Sequence, residues 1–295
     1  MDKRKLIIYN PVTNLYDFFI NSLIIEFKKY NVDIIFYDPS LVGINKTDII
    51  LILINPHFIF DYNNIYNEIN KISTNYKFKI IYLTEPINFL VEKKVYLDLI
   101  NIIKPYCLWT YTTENFNKIR TYVPVYKIFP SYNEAYNFTK ISLSNIINKN
   151  TNNIIFLGNI NDNRKDVCNK FNDYLINTTD SWMKEDWSKI LDNNLFYLNI
   201  HRRNNCKSFE SFRIIPILAN GGFIFSERTN EAEEKEYKDY NIIFVNKDDL
   251  YNTFLEFRKN INYTMIYEKA LLYRNNMIEN NGIEKFMNYH LLTLL

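Results

Sequence analysis

The stretch Leu157-Gly158-Asn159-Ile160-Asn161-Asp162-Asn163-Arg164-Lys165 sets a glycine behind an apolar run and two cations at the start of a polar segment. Glycine there lets a ligand approach the backbone. A helix beginning beside it offers free N–H groups and a partial positive charge, both suited to phosphate. A turn glycine before a solvated helix start is the plainer meaning, and the spacing is neither a Walker loop nor GxGxxG. His201 closes the apolar run Leu195–Ile200 and is followed by Arg202 and Arg203. A His with two Arg at the carboxyl end of a strand suits an anionic ligand, although a lone His is more often a hydrogen-bonded structural residue. Glu210 and Arg213 lie three apart and share a helix face. Such spacing most commonly means a surface ion pair. Alternatively, Glu210 accepts from ribose hydroxyls, and Arg213 holds a phosphate or braces Glu210.

Weaker signals accompany these. Ala219-Asn220-Gly221-Gly222-Phe223 reads as a helix C-cap running into a strand. Its functional version is a tight backbone turn under a ligand, with Ser226 and Glu227 ending the strand at the same edge. In the first half Asn10, His57 and Glu85 each follow an expected strand. A carboxylate in such a place can serve as a general base, whereas a solvated loop residue is the commoner case. The acidic run Glu231–Glu236 reads as an exposed segment.

The elements that must position these residues are legible as a strand–helix alternation. Strands are expected at Lys5–Tyr9, Asp33–Tyr37, Asp48–Ile54, Lys79–Leu83, Tyr106–Tyr111 and Val125–Phe129, and helices at Leu15–Tyr30, Tyr62–Tyr76, Lys94–Ile103 and Glu114–Arg120. After the Asn-rich Ser142–Asn153, read as a linker, the alternation restarts. Strands follow at Asn153–Leu157, Leu195–Ile200, Phe223–Ser226 and Asn241–Val245. The expected helices are Asp162–Leu175, Trp182–Leu191, Phe209–Ala219, Asp249–Lys259 and most of Tyr263–Leu295. Near-continuous apolar strands joined by helices imply parallel sheets covered on both faces. The fold class expected is α/β, two Rossmann-like doubly wound domains facing a cleft. The domains are 1–145, 151–265, and C-terminal helices over 266–295. Ligands in such sheets sit beyond the carboxyl ends of the strands.

Composition narrows the classes. Over 295 residues, 47% hydrophobic and 23% charged residues exclude a largely disordered chain. A net charge of +2 argues against a nucleic-acid-wrapping protein. No apolar run approaches the ~20 residues of a membrane helix. With 24 Tyr, 22 Phe and only 5 Gly, the chain bears the codon bias of an AT-rich genome, which devalues each Asn, Tyr or Lys as a clue and raises each Gly, His, Trp and Arg. The 3 Cys fit no zinc or disulfide framework, and the N-terminus lacks the features of a signal peptide, so a reducing cytoplasmic setting is expected.

Taken together, the segments resemble nucleotide-sugar glycosyltransferases of the GT-B fold, in particular the group-1-type, spore-maturation-like set with viral and bacterial members. That set has a stretch like LNIH, then an E-x-x-R-x-x-E-A-L-x-x-G helix, then an apolar strand ending in Ser-Glu. The counterpart here is LNIHRRNNCKSFESFRIIPILANGGFIFSE, Leu198 to Glu227. Upstream, IIYLTEPINF with Glu85, LWTYTTEN with Trp109, Tyr111 and Asn115, and YVPVY at Tyr122–Tyr126 match further family segments in order.

The resemblance implies a donor site in the second half, with His201, Arg202, Glu210, Arg213, Ser226, Glu227 and the Gly158–Lys165 loop around the nucleotide diphosphate. The donor would be a UDP-sugar, no metal or other cofactor is implied, and a glycan or other hydroxyl compound would be the acceptor. Glu85 and His201 take the catalytic places, and Asn10 and His57 the acceptor side. The last helix of the family often crosses back to the first domain. One departure stands out: the second family Glu is Pro216 here. Proline offers neither a carboxylate nor an N–H. The alternative is therefore an inactive GT-B scaffold that binds a glycan, nucleotide or protein. A two-lobed small-ligand receptor is a third reading, disfavoured by the missing signal peptide.

Overall fold

The computed structural model describes residues 5–10, 17–38, 48–54, 63–84, 90–120, 123–128, 133–136, 140–178, 184–204 and 208–288. The chain divides into two compact units, Met1–Pro130 with Gly282–Leu295, and Ser131–Asn281.

The first unit is built on strands β1 (Lys5–Tyr9), β2 (Asp33–Phe36), β3 (Ile49–Ile54), β4 (Phe78–Leu83), β5 (Cys107–Thr110) and β6 (Val125–Lys127). They form one sheet in the order β2-β1-β3-β4-β5-β6, with every pairing parallel. Helices α1 (Asp17–Lys28), α2 (Asn63–Asn75), α3 (Leu90–Ile103) and α4 (Thr113–Ile119) make the crossovers. The strands bury both faces, which is why they are almost wholly apolar: Ile7, Ile50, Ile52, Ile81, Leu83 and Leu108 are inaccessible to solvent. Asn10 follows β1 at the point where the strand order reverses, between β1 and β3.

The second unit repeats the scheme. Its strands are β7 (Asn150–Phe156), β8 (Leu175–Asn177), β9 (Asn194–Asn199), β10 (Phe223–Glu227) and β11 (Ile242–Val245), in the parallel order β11-β10-β9-β7-β8. Its helices are α5 (Leu143–Ile147), α6 (Asp162–Lys170), α7 (Lys184–Asn193), α8 (Ser211–Ala219), α9 (Glu231–Tyr237), α10 (Leu250–Lys259) and α11 (Tyr263–Glu279). Phe196, Phe225 and Phe254 pack edge-on at 5.5–5.7 Å, a geometry that suits aromatic quadrupoles. The order reverses between β7 and β9. The loops after these two strands carry Gly158 and His201.

The chain then returns to the first unit, where α12 (Gly282–Phe286) sets Phe286 edge-on against Trp109 at 4.9 Å and Tyr126 at 5.2 Å.

Three differences from the sequence expectation have physical causes. The Ser142–Asn153 linker carries α5, capped by the Ser142 hydroxyl accepting from Asn145 N–H, with Ile146 buried in the core. Leu143, Ile146 and Ile147 at helical spacing behind Ser142 were the cue, set in an otherwise polar segment. The helix from Asp162 stops at Lys170 rather than running to Leu175, and β8 follows. Phe171 and Tyr174 continue the helical spacing, but Phe171 instead packs on Tyr251 and Phe254. The acidic run forms α9, capped by Asn230 and with Glu233 buried.

Candidate functional site

Three neighbouring central strands, β7, β9 and β10, deliver their carboxyl ends to one place. Beyond β7, Gly158 takes φ +155°, a backbone state that side chains disfavour. A Cβ there would stand 3.3 Å from Arg213 Nη2 and 3.5 Å from Arg164 Nη1. Two guanidinium groups therefore lie over the bare Gly158 backbone.

Arg164, in the first turn of α6, is buried and held on three sides. Its Nε donates to the Ile200 carbonyl at 3.0 Å and Nη1 to the Asn159 carbonyl at 2.9 Å. Its Nη2 donates to Glu210 Oε1 at 3.3 Å. The other carboxylate oxygen, Glu210 Oε2, lies 2.6 Å from Arg213 Nη1, an ion pair set off the line of a good hydrogen bond. Arg213 is 8% exposed, and its Nε has no hydrogen-bond partner among the described residues. A buried, charged donor without a partner is costly unless something else pairs with it.

Glu210 is the N-cap of α8, yet its side chain makes no capping bond to its own helix. Its carboxylate serves the two arginines instead. Burial pushes its pKa up, but Arg213 and Arg164 outweigh this, and the group is held below its ordinary value. The side chain keeps 27% of its surface exposed, so the cluster has an opening to solvent. Asn161, the N-cap of α6, likewise leaves its own helix uncapped and donates to the Arg202 carbonyl at 2.7 Å. Lys165, Arg202 and Arg203 are exposed around this rim.

His201 is buried. Its backbone N–H donates to Glu227 Oε2 at 3.0 Å, and its Nε2 lies 2.9 Å from the Arg228 carbonyl. A carbonyl only accepts, so Nε2 carries the proton and Nδ1 is the acceptor in the neutral ring. The His201 carbonyl accepts from Asn163 Nδ2 at 3.0 Å. Asn163 in turn receives Lys247 Nζ on its carbonyl and, at 3.0 Å, on Oδ1. Beneath, Asn199 Nδ2 donates to Ser226 Oγ at 2.9 Å, and Ser226 Oγ donates to the Glu227 carbonyl at 2.9 Å.

The structure thus brings together Gly158, Asn159, Arg164, His201, Arg202, Glu210, Arg213, Ser226 and Glu227. It does not bring Gly221 and Gly222 to them. That pair closes α8 at the opposite end of β10. Gly221, at φ +75°, packs against Ile146, and a Cβ on Gly222 would press into Ile217 Cγ2 at 2.5 Å. Their absence of side chains serves the helix end and its packing. Asn10 follows β1 in the first unit, while His57 and Glu85 lie outside the described residues. Glu233, Arg228 and Lys247 were not singled out from sequence; Asn- and Lys-rich composition masks such residues, and the acidic run looked like a solvated face.

Among the described residues no group of three His, Cys, Asp or Glu side chains is placed to hold a metal ion, and no helix is long and apolar enough to cross a membrane.

No family model matches the chain, and no curated protein matches it significantly in sequence. Solved structures match over nearly the full length. A crystal structure of Alr3699/HepE from Anabaena, in complex with UDP and glucose, is 11% identical with a TM-score of 0.57, over 99% of both chains. A glycosyltransferase from Rickettsia africae is 11% identical with a TM-score of 0.54, over 100% of this chain and 98% of its own. A putative UDP-N-acetylglucosamine 2-epimerase from Listeria monocytogenes is 12% identical with a TM-score of 0.50, over 99% and 98%. The two parallel α/β sheets are those of the GT-B fold.

Proposed function

We propose that the protein is a glycosyltransferase that binds a nucleoside-diphosphate sugar, a UDP-sugar in the first instance, at the carboxyl ends of β7, β9 and β10. The observation that carries this reading is the buried Arg213, lying over the bare backbone of Gly158 with its Nε unpaired among the described residues. The GT-B neighbours, one of them holding UDP and glucose, support the choice of ligand.

In the reaction the bond from the sugar's anomeric carbon to the diphosphate oxygen breaks and its electron pair leaves with the diphosphate. A bond forms from an acceptor hydroxyl oxygen to that carbon, and the hydroxyl proton passes to a base. Charge grows on the departing diphosphate, where Arg213 and the uncapped first turn of α6 are already oriented. Preorganised donors of that kind lower the barrier without reorganising during the reaction, and without calling on a metal. Glu210 keeps Arg213 and Arg164 in place. His201 stands on the side of the transferred sugar, its ring fixed through Nε2. The acceptor, a glycan or another hydroxyl compound, is assigned to the first unit with Asn10, His57 and Glu85, the last as proton acceptor.

A thermal-shift panel of nucleotide sugars and free nucleotides tests the donor assignment. A ligand at 100 times its Kd adds about 2.7 kcal/mol of stability, which is readily detected as a raised Tm. A shift with a UDP-, GDP- or dTDP-sugar, abolished by Arg213→Ala, upholds the reading. No shift with any nucleotide overturns it.

Pro216 favours a second reading, an inactive scaffold that retains ligand binding. It is buried within α8 in the place of the family acid, and Glu210, the nearest substitute, already spends both oxygens on arginines. Nucleotide binding without turnover on any glycan would distinguish it.

A further inference from the structure

We infer that Glu233 is a positioning residue for the nucleotide site: its buried carboxylate holds the segment that carries Glu210, while the adjacent Glu234 holds the segment that orients His201. This rests on the functional reading above, which assigned α9 no part.

Glu233 is 3% exposed. Its Oε2 accepts from the backbone N–H of Phe209 at 2.7 Å and from Thr229 Oγ1 at 3.0 Å. Phe209 immediately precedes Glu210, the N-cap whose side chain gives its own helix no support. The Phe209 ring packs against Tyr237, also on α9, at 4.5 Å, and against Phe244 on β11 at 5.7 Å. Glu234 Oε1 accepts from Thr229 N–H at 2.9 Å, and its Oε2 from Arg228 Nη1 at 2.7 Å. The Arg228 carbonyl is the group that holds His201 Nε2.

Two consecutive carboxylates on a helix capped by Asn230 thus reach the segment bearing Glu210 and the loop after β10 whose Arg228 carbonyl holds His201. Charge-assisted bonds to backbone N–H are among the stronger ones in proteins, and losing a buried acceptor leaves the N–H unsatisfied. The geometry of Glu210 sets that of Arg213 through their ion pair, so α9 governs the diphosphate site without lining it.

The test compares the full-length protein with Glu233→Ala and Glu233→Gln. The Gln carbonyl oxygen can take the place of Oε2, which accepts from both Phe209 N–H and Thr229 Oγ1. Amide hydrogen exchange is read first, without nucleotide. Expected is a rise of about tenfold or more at 209–214 in Glu233→Ala, with β9 and β10 unchanged, and a return to near wild-type rates in Glu233→Gln. UDP affinity is read next by calorimetry below the unfolding range, with a loss of about tenfold expected in Glu233→Ala and recovery in Glu233→Gln. Uniformly faster exchange across the second unit, unchanged exchange at 209–214, or equal UDP affinity in the alanine variant and a UDP-binding wild type overturns the positioning role. If the wild type binds neither UDP nor any other nucleotide, the functional reading fails instead, and the exchange experiment still decides whether Glu233 positions 209–214.

Discussion

The Arg213 guanidinium lies over the α-carbon of Gly158, so that a methyl group there would meet Nη2 at 3.3 Å. This contact joins two elements 55 positions apart in the chain, the loop after β7 and the first turn of α8. It also makes Gly158→Ala informative. The positive φ costs an alanine about 1–3 kcal/mol, and the new methyl group displaces Arg213 by some tenths of an ångström. The variant should unfold at lower urea concentration, and its UDP affinity, measured by calorimetry on the folded protein, should fall at least about tenfold. Unchanged affinity would show that no ligand approaches over this backbone.

Glu210→Gln separates charge from shape. Glutamine fills the same volume but leaves Arg164 and Arg213 without a counter-charge, at a cost of about 1–2 kcal/mol after allowing for the partial exposure of Glu210. Burial raises the pKa of Glu210, but the arginines more than offset it, so the folded value lies below the ordinary 4.5. A depressed carboxylate stabilises fully above its unfolded pKa and loses that contribution as pH falls through the folded one. The Tm gap between wild type and Glu210→Gln should therefore be constant above about pH 5.5 and close below pH 4.5. A gap that persists unchanged into acid would mean that the ionised carboxylate contributes nothing.

The alternating architecture was legible because buried parallel strands demand apolar runs, and Ile49–Ile54 or Leu195–Ile200 admit no other use. The helix after β7 was legible at its start, Asp162, and not at its end. Phe171 and Tyr174 prolong the helical period while packing into a different contact set. Glu210 and Arg213 could be paired from their spacing, but the same spacing could not show that Arg164, 46 residues away, takes the other carboxylate oxygen. Nor could it separate the glycine at 158, which lies under two arginines, from the pair at 221 and 222, which packs on Ile146, Ile217 and Tyr197. Glu233 was hidden for a different reason. A run of acids reads as a solvated face, and only the approach of Phe209 N–H turns one of them inward.

Phe286 offers a test of how the C-terminal segment contributes. It is buried between Trp109 and Tyr126, and Trp109 contacts Tyr82 edge-on at 6.3 Å. Removing the ring should cost about 3–5 kcal/mol, the range for buried Phe→Ala changes. Equilibrium urea denaturation of Phe286→Ala should show the first unit unfolding earlier, with the transition of the second unit in place. A loss under ~1 kcal/mol would mean that the segment is peripheral to that core.

Lys149 gives the clearest pH signature. It is 6% exposed, and its ammonium donates to the Leu191 carbonyl in the last turns of α7. Burial lowers its pKa from 10.5 to about 8, with Asp192 opposing the shift. Because the folded value lies below the unfolded one, the unfolded chain binds more protons between them, and stability rises with pH across that interval. The folded protein carries the cost of a buried charge below pH 8 and sheds it as the group deprotonates. Relative to Lys149→Met, which retains the aliphatic stem and no charge, the wild type should gain roughly 3 kcal/mol between pH 8 and 10.5. Tyrosine and cysteine titrations are common to both proteins and cancel in the difference. Guanidinium unfolding of the pair at pH 7, 8, 9 and 10 measures it. Parallel stability curves would mean that Lys149 keeps its proton in the folded state as readily as in the unfolded one.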